Sequence, residues 1–398
     1  MKDNLIRAQQ HSIYYRRLFK EVGFEPSELS DLKGIEKLPI TTKTSIRENI
    51  DQVVNDNYKS HPHLITHTSG TTGAGLIYPE SVSCEQEKWA VWWRFRMNRG
   101  IGFATWVAFF GGRTIVPINQ SKPPYWRTVK ATKRHMFSMY HLNKKTLPAY
   151  IDKINHEKIS WFHGYPSFLS NLASLMLENG LRFEHKVKKV SIGAENLLES
   201  HKRLIKEAFG VSPIQHYGLS EPVANISECE YGNMHVDEDY SFVEFIPIQG
   251  QKDQYRIVGS SFSNPAMFFL RYDTNDVATI TANHKCQCGR ESRIVDRVDG
   301  RSEDFVTLRN GTKIGRMDHI FKDMINVVEA RIVQEKDGFI HFDVVKSSSY
   351  QQNDEESLIQ EIRSRLDADY FDIRYVDKIE RTSSGKLRFV VSEYEGPA

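Results

Sequence analysis

The chain reads as an α/β protein with a large layered N-terminal region and a small α+β C-terminal one. Three observations predict this. From Leu64 onward, short apolar runs alternate with amphipathic helical stretches, the pattern of helices layered on a sheet. Beyond about residue 300 the elements shorten. There Ile340, Phe342 and Val344 alternate with His341 and Asp343 as in a half-buried strand, and Leu358, Ile359, Ile362 and Leu366 form a helical stripe after Asn353-Asp354. Finally, 398 residues exceed what a single core serves, so two or three domains are expected.

Residues 1–60 carry helical and turn signals through Leu38-Pro39-Ile40-Thr41-Thr42-Lys43, and the polar run 51–60 is expected to be loop. Residues 113–118, 189–193 and 255–259 read as strands. Phe168, Leu169, Leu172, Ala173, Leu175 and Met176 fall close to one helical face, which places a helix directly after Tyr165-Pro166-Ser167. Gly300-Arg301-Ser302-Glu303 has few bulky apolar residues and is the expected junction, dividing the chain into 1–300 and 301–398. There is no internal repeat or low-complexity segment.

Fifty-three basic against 51 acidic side chains leave a formal charge of +2, so no global field recruits nucleic acid or an anionic membrane. Any phosphate binding has to be local. The first residues lack the apolar core of a secretory signal, and the longest nearly apolar stretch, 101–112, is too short to span a bilayer. A cytoplasmic protein is expected. Four cysteines in so long a chain do not make a disulfide framework.

Thr68-Ser69-Gly70-Thr71-Thr72-Gly73 offers four hydroxyls and two glycines in six residues after the apolar pair Leu64-Ile65. Glycine lets backbone approach a ligand closely, and hydroxyls with backbone N–H groups donate to phosphate oxygens without adding a competing charge. No Gly-Lys-Ser/Thr closes the loop, and Gly70, Gly73 and Gly75 do not have the dinucleotide spacing. Taken alone, the run also suits an ordinary turn. Further along, His216-Tyr217-Gly218-Leu219-Ser220-Glu221 sets an aromatic able to stack on a purine four residues before a carboxylate able to meet magnesium. Asp276 follows the apolar run 267–270 and is expected at a strand end, where it can accept from a ribose diol, or in an Asx turn with Asp273 and Asn275.

With Leu38-Pro39 and Lys43, Gly164-Tyr165-Pro166-Ser167, Gly193-Ala194-Glu195, Arg271-Tyr272-Asp273-Thr274-Asn275-Asp276, Gly300-Arg301 and Ser384-Gly385-Lys386, these motifs run in one order over most of the chain. In that order the sequence resembles the adenylate-forming superfamily, within it the phenylacetate–CoA ligase and CapK-like branch. The resemblance implies a large adenylation domain, a small mobile C-terminal domain, and activation of a carboxylic acid by ATP through an acyl-adenylate with release of pyrophosphate. It implies nucleotide contacts from Thr68, Ser69, Gly70, Thr71, Thr72, Gly73, Ala194, Glu195, His216, Tyr217, Gly218, Ser220, Asp276 and Arg301. Glu221 is implied as the Mg²⁺ ligand, Tyr165 as a border of the acyl site and Glu303 as the hinge. Lys386 is implied over the α-phosphate, where a fixed cation offsets the anions brought together as a carboxylate attacks phosphorus. Lys386, Glu221 and Thr71 are therefore the expected catalytic residues. Two departures stand out. Ala74-Gly75-Leu76-Ile77 follows the loop where many relatives carry Lys or Pro, which shifts phosphate chemistry onto Lys386. Asn275 stands where the pattern has Gly, and Asn tolerates the positive φ such a turn needs.

Cys286-Gln287-Cys288 with Cys229 and His235 supplies three thiolates and one imidazole, a complete tetrahedral zinc set, or else free thiols in a loop. The arrangement resembles a zinc-binding feature of some phenylacetate–CoA ligase relatives. Cys84 is left over as a buried or free thiol. Lys122, Arg127, Lys130, Lys133 and Arg134, with Tyr125 and Trp126, form either a solvated face or a surface for a phosphorylated acceptor. Coenzyme A is the acceptor the resemblance implies. An amine acceptor, as in polysaccharide decoration, and a non-catalytic zinc-containing scaffold of the same fold are the competing readings. A homodimer is a family-level expectation.

Overall fold

The computed structural model describes the chain except residues 59, 69–74, 112, 195–196, 198, 250–252, 282–284, 300–305, 315–316, 322–323, 325, 347–349, 367–369, 378, 380–389, 395 and 397–398. It divides into two compact units. One holds Met1–Thr68, Leu76–Gly102 and Gln215–Arg301, the other Ser69–Gly75, Phe103–Ile214 and Ser302–Ala398.

In the first unit, helices Lys2–His11 and Ile13–Glu21 are separated by Ser12, whose hydroxyl accepts from the Tyr15 N–H at 3.3 Å and caps the second helix. Leu5, Ala8, Tyr15 and Phe19 from these helices share a core with Met267, Phe268, Phe269 and Leu270. The run expected as loop at 51–60 is partly helical, with a helix over Ile50–Val53 and a 3-10 turn over Asp56–Tyr58, because Val53 is wholly buried and anchors it. An antiparallel hairpin follows, His63–His67 with Ile77–Ser81, and leads into the helix Val82–Asn98 through a Ser81 cap on the Cys84 N–H at 3.0 Å. The unit also holds two four-stranded antiparallel sheets. One runs Ile294–Val295, Met234–Val236, Asn225–Glu228, His216–Gly218. The other runs Ser241–Pro247, Gln254–Ser261, Tyr272–Thr279, Arg297–Asp299. The strand expected at 255–259 lies inside Gln254–Ser261.

Arg271 ties this unit together. Its guanidinium makes a fork on the buried Glu244 carboxylate, with Nη2 to Oε1 at 2.7 Å and Nε to Oε2 at 3.0 Å, and donates to the carbonyls of Glu36 and Leu38. The Leu38-Pro39 segment is thereby held to the sheet that carries Asp276.

In the second unit, Trp126–Val129, Arg134–Phe137, Val107–Phe110, Trp161–Gly164 and Lys189–Ile192 form a five-stranded sheet in that order, parallel except for the first pairing. Helices Leu147–His156, Pro166–Glu178 and Glu199–Phe209 accompany it. The helix expected after Tyr165 is thus present, with proline at its first position, where a missing N–H costs nothing. The strand expected at 189–193 is Lys189–Ile192. The one expected at 113–118 is not a strand. Pro117 cannot donate to a ladder, and Val107–Phe110 fills that place in the sheet, while Ile115 and Val116 are buried as coil.

The tail of this unit is a four-stranded sheet, Phe371–Tyr375, Ile340–Lys346, Val327–Gln334, Val390–Ser392, with helix Gln352–Arg365. The expected stripe of Leu358 and Ile362 is buried against Phe342 and Val344 in a core that Tyr140 joins. The result is an α/β fold with a small α+β C-terminal part.

Candidate functional site

Hydrogen bonding closes the hairpin in the first unit at its loop end. The Thr68 N–H donates to the Leu76 carbonyl and the Leu76 N–H to Thr68 Oγ1, both at 2.9 Å, one step beyond the His67–Ile77 pair. Thr68 is buried. Thr68 and Leu76, on either side of residues 69–75, are therefore tied to each other. Ser69, Gly70, Thr71, Thr72 and Gly73 themselves lie outside the described residues.

The strand His216–Gly218 presents three of the expected residues. Tyr217 donates its hydroxyl to Asp276 Oδ2 at 2.7 Å. Burial, then the neighbouring carboxylate, hold its phenol protonated well above the usual range. Asp276 sits within the strand Tyr272–Thr279, not at a strand end, and a local irregularity aims it. Val258 pairs with Asp273 and Arg256 with Val277, so Ile257 alone faces Thr274, Asn275 and Asp276. Thr274 Oγ1 donates to the Ile257 carbonyl at 2.9 Å and accepts from the Asp276 N–H at 3.1 Å, while Asp273 Oδ1 accepts from the Asn275 N–H at 2.9 Å. Asn275 takes φ of 59°, the left-handed turn expected of it.

His216 packs partly buried against Phe95 and Trp92, ring centroids 5.3 and 6.4 Å apart. Arg96 lies over the Trp92 ring at 3.6 Å. Burial, then the Arg96 charge, lower the His216 imidazole to about 4, so it is neutral near pH 7.

Glu221 is buried, and its Oε1 accepts from the Tyr272 hydroxyl at 2.9 Å. Ser220, one residue before it, offers its carbonyl to the Tyr78 hydroxyl at 2.7 Å and to Lys88 Nζ at 3.4 Å. On the following side the chain turns sharply, the Val223 N–H donating to the Glu221 carbonyl at 2.8 Å. Gly259 admits that turn, since a Cβ there would lie 2.0 Å from the Val223 carbonyl oxygen. A carboxylate held by one oxygen suits magnesium, which takes one or two protein carboxylates and fills its shell with phosphate and water.

In the second unit, Ala194 follows the strand Lys189–Ile192 with φ of 68°, and Tyr165 caps the helix Pro166–Glu178 with its ring stacked on Phe168 at 5.5 Å. Glu195, Arg301, Glu303 and Lys386 lie outside the described residues. Tyr125 does not belong to a basic surface: it is buried, stacked between His141 and Tyr150. Sequence reasoning missed Tyr272, Tyr78 and Lys88. The only signal for Tyr272 was its place inside the quoted Arg271 to Asp276 motif, and nothing in the sequence pointed to the other two.

Cys229, His235, Cys286 and Cys288 come together, their ligand atoms all within 4.8 Å of one another. Cys229 Sγ lies 3.6 Å from Cys286 Sγ and Cys288 Sγ 3.4 Å from His235 Nε2. Zn–S near 2.3 Å and Zn–N near 2.0 Å place tetrahedral neighbours roughly 3.5–3.8 Å apart, so the set fits zinc. Asn233 Nδ2 donates to Cys286 Sγ at 3.1 Å, and Ser292 Oγ lies 3.3 Å from His235 Nδ1. Burial opposes ionisation of Cys286, but the hydrogen bonds it accepts from the Cys288 backbone, His235 and Asn233 outweigh it and bring the thiol down to about 6. Cys84 is a buried free thiol away from this group.

Residues 306–393 match the family described as the CapK C-terminal domain. The chain is 25% identical over 389 residues to protein CapK of Staphylococcus aureus, covering 96% of this chain and 86% of that one. To a phenylacetate-coenzyme A ligase of Thermus thermophilus it is 24% identical, over 74% of this chain and 67% of the other. Among solved structures, a 2-hydroxyisobutyryl-CoA ligase in its postadenylation state matches with a TM-score of 0.58 at 18% identity, covering 99% of this chain and 88% of that one. The same ligase with acyl-adenylate and coenzyme A in its thioester-forming state matches equally well.

Proposed function

Because the chain belongs to the adenylate-forming superfamily, in its CapK-like branch, we propose that it is an AMP-forming ligase that activates a carboxylic acid with ATP and passes the acyl group to coenzyme A. The observation that carries this reading is the convergence of Tyr217, Asp276 and Glu221 in one compact unit with the tied stem of the hydroxyl-rich loop. In this reading Tyr217 gives a ring face to adenine while its hydroxyl orients Asp276 to accept from the ribose diol, with Arg301 joining there. The loop 69–73 offers N–H and O–H donors to the phosphates. Glu221 would hold Mg²⁺, which neutralises charge on the phosphates when bound. Lys386, on the C-terminal part, stabilises the anionic transition state as the acid attacks the α-phosphorus and pyrophosphate leaves.

Cys229, His235, Cys286 and Cys288 would hold zinc in a structural role, since all four tetrahedral positions are protein ligands and none is left for a reactant. The names of the relatives and structural matches support coenzyme A as acceptor. An amine acceptor is separated from it by one comparison: pyrophosphate release across an acid panel, with the acyl product followed with and without coenzyme A. Formation of a thioester supports the proposal. Acid-dependent exchange with no thioester transfers the second step to an amine, and no exchange with any acid leaves a scaffold.

A further inference from the structure

One charged group in the first unit has no part in the proposed chemistry and yet is linked to two pieces of it. Glu80, on the second strand of the hairpin, is wholly buried. Its Oε2 accepts from Thr66 Oγ1 at 2.7 Å and from Lys88 Nζ at 2.8 Å. Thr66 belongs to the opposite strand, two residues before Thr68, so Glu80 is fastened to the stem of the phosphate loop. Lys88, on the helix Val82–Asn98, also pairs with Glu85 at 2.9 Å and reaches the Ser220 carbonyl. Tyr78, two residues before Glu80, donates to the same carbonyl and packs edge-on against Phe269, which packs in turn against Tyr272. Tyr272 is the donor that holds the Glu221 carboxylate.

An ion pair buried merely for stability is poor design, because desolvating the two charges cancels most of their attraction. This one sits where it can set a distance. We propose that Glu80, Lys88 and Tyr78 are positioning residues that hold the Glu221 backbone in register with the stem of the phosphate loop, so that the carboxylate meets a nucleotide-bound divalent cation. The proposal rests on the adenylation reading for the role of Glu221. In this proposal the three act through the Ser220 carbonyl and Thr66, not on the reactants themselves.

Manganese stands in for magnesium and is read directly by electron paramagnetic resonance, without turnover or a known acid. The free Mn²⁺ signal is titrated with full-length protein and a non-hydrolysable ATP analogue. Lys88→Met should weaken the manganese–nucleotide complex roughly tenfold, the size expected when a charge-assisted hydrogen bond is lost, with nucleotide affinity in the absence of metal unchanged. Two further variants separate this from simple unfolding. Tyr78→Phe keeps the ring and removes only the hydroxyl, and Glu80→Gln with Lys88→Met removes both charges of the pair together. Weakened manganese binding in either, at a wild-type melting temperature, supports the proposal. Wild-type manganese affinity in both overturns it. A wild-type protein that forms no manganese–nucleotide complex at all overturns the adenylation reading instead, a result the variants cannot mimic.

Discussion

At the scale of single residues, three described candidate side chains are each held by a neighbour of a different type. Tyr217 is fixed by Asp276, Glu221 by Tyr272, and His216 by the aromatic rings of the helix Val82–Asn98. His216 also makes a measurable statement about pH. Its imidazole titrates near 4 in the folded chain against about 6.5 when unfolded. The unfolded state therefore binds the extra proton between those values. The stabilisation is complete above about pH 6.5 and is lost as pH falls toward 4. The unfolding midpoint should drop over that window more steeply for wild type than for His216→Gln; parallel profiles would assign the loss to other groups.

At the scale of elements, two fastenings shape the first unit. The Arg271 fork on Glu244 is buried, so Arg271→Met leaves an uncompensated carboxylate and should cost about 3–5 kcal/mol, read as a lower denaturant midpoint. Adding Glu244→Leu should recover most of that loss. The Cys/His cluster joins the end of strand Asn225–Glu228, the strand Met234–Val236 and the turn at 286–288. The strand Asn225–Glu228 also pairs with His216–Gly218, Ser227 opposite His216. As purified, the protein should carry one zinc per chain by elemental analysis. A strong chelator should lower its melting temperature and weaken ATP binding through the shared sheet. No zinc and no chelator effect would return the four ligands to the role of free thiols.

At the scale of the whole molecule, what could be read from the sequence follows from how local each signal is. The Cys/His cluster was legible as two short spacings, and the structure brings Cys229, His235, Cys286 and Cys288 within reach of one another. The Asn275 turn was legible because few side chains tolerate positive φ. The helix after Tyr165 and the tail strand and helix announced themselves by periodicity. By contrast, 113–118 has strand-like composition, but pairing along a sheet is decided by the competing strand Val107–Phe110, a tertiary matter. Asp276 was placed at a strand end because the irregularity opposite Ile257 depends on a partner strand. The Glu80–Lys88 pair was invisible because its partner, the Ser220 carbonyl, is more than a hundred residues away in the chain and is backbone. Lys386 was singled out only through the Ser-Gly-Lys motif, and it lies outside the described residues.

The central claim is that the chain makes an acyl-adenylate, and ATP–pyrophosphate exchange over a panel of carboxylic acids tests it most directly. The account predicts exchange that requires one class of acid and a divalent cation, and that falls by about three orders of magnitude or more in Lys386→Ala, the scale on which a transition-state charge clamp contributes. Acid-dependent exchange undiminished in Lys386→Ala, or no exchange with any acid by a folded protein that binds ATP, would contradict it.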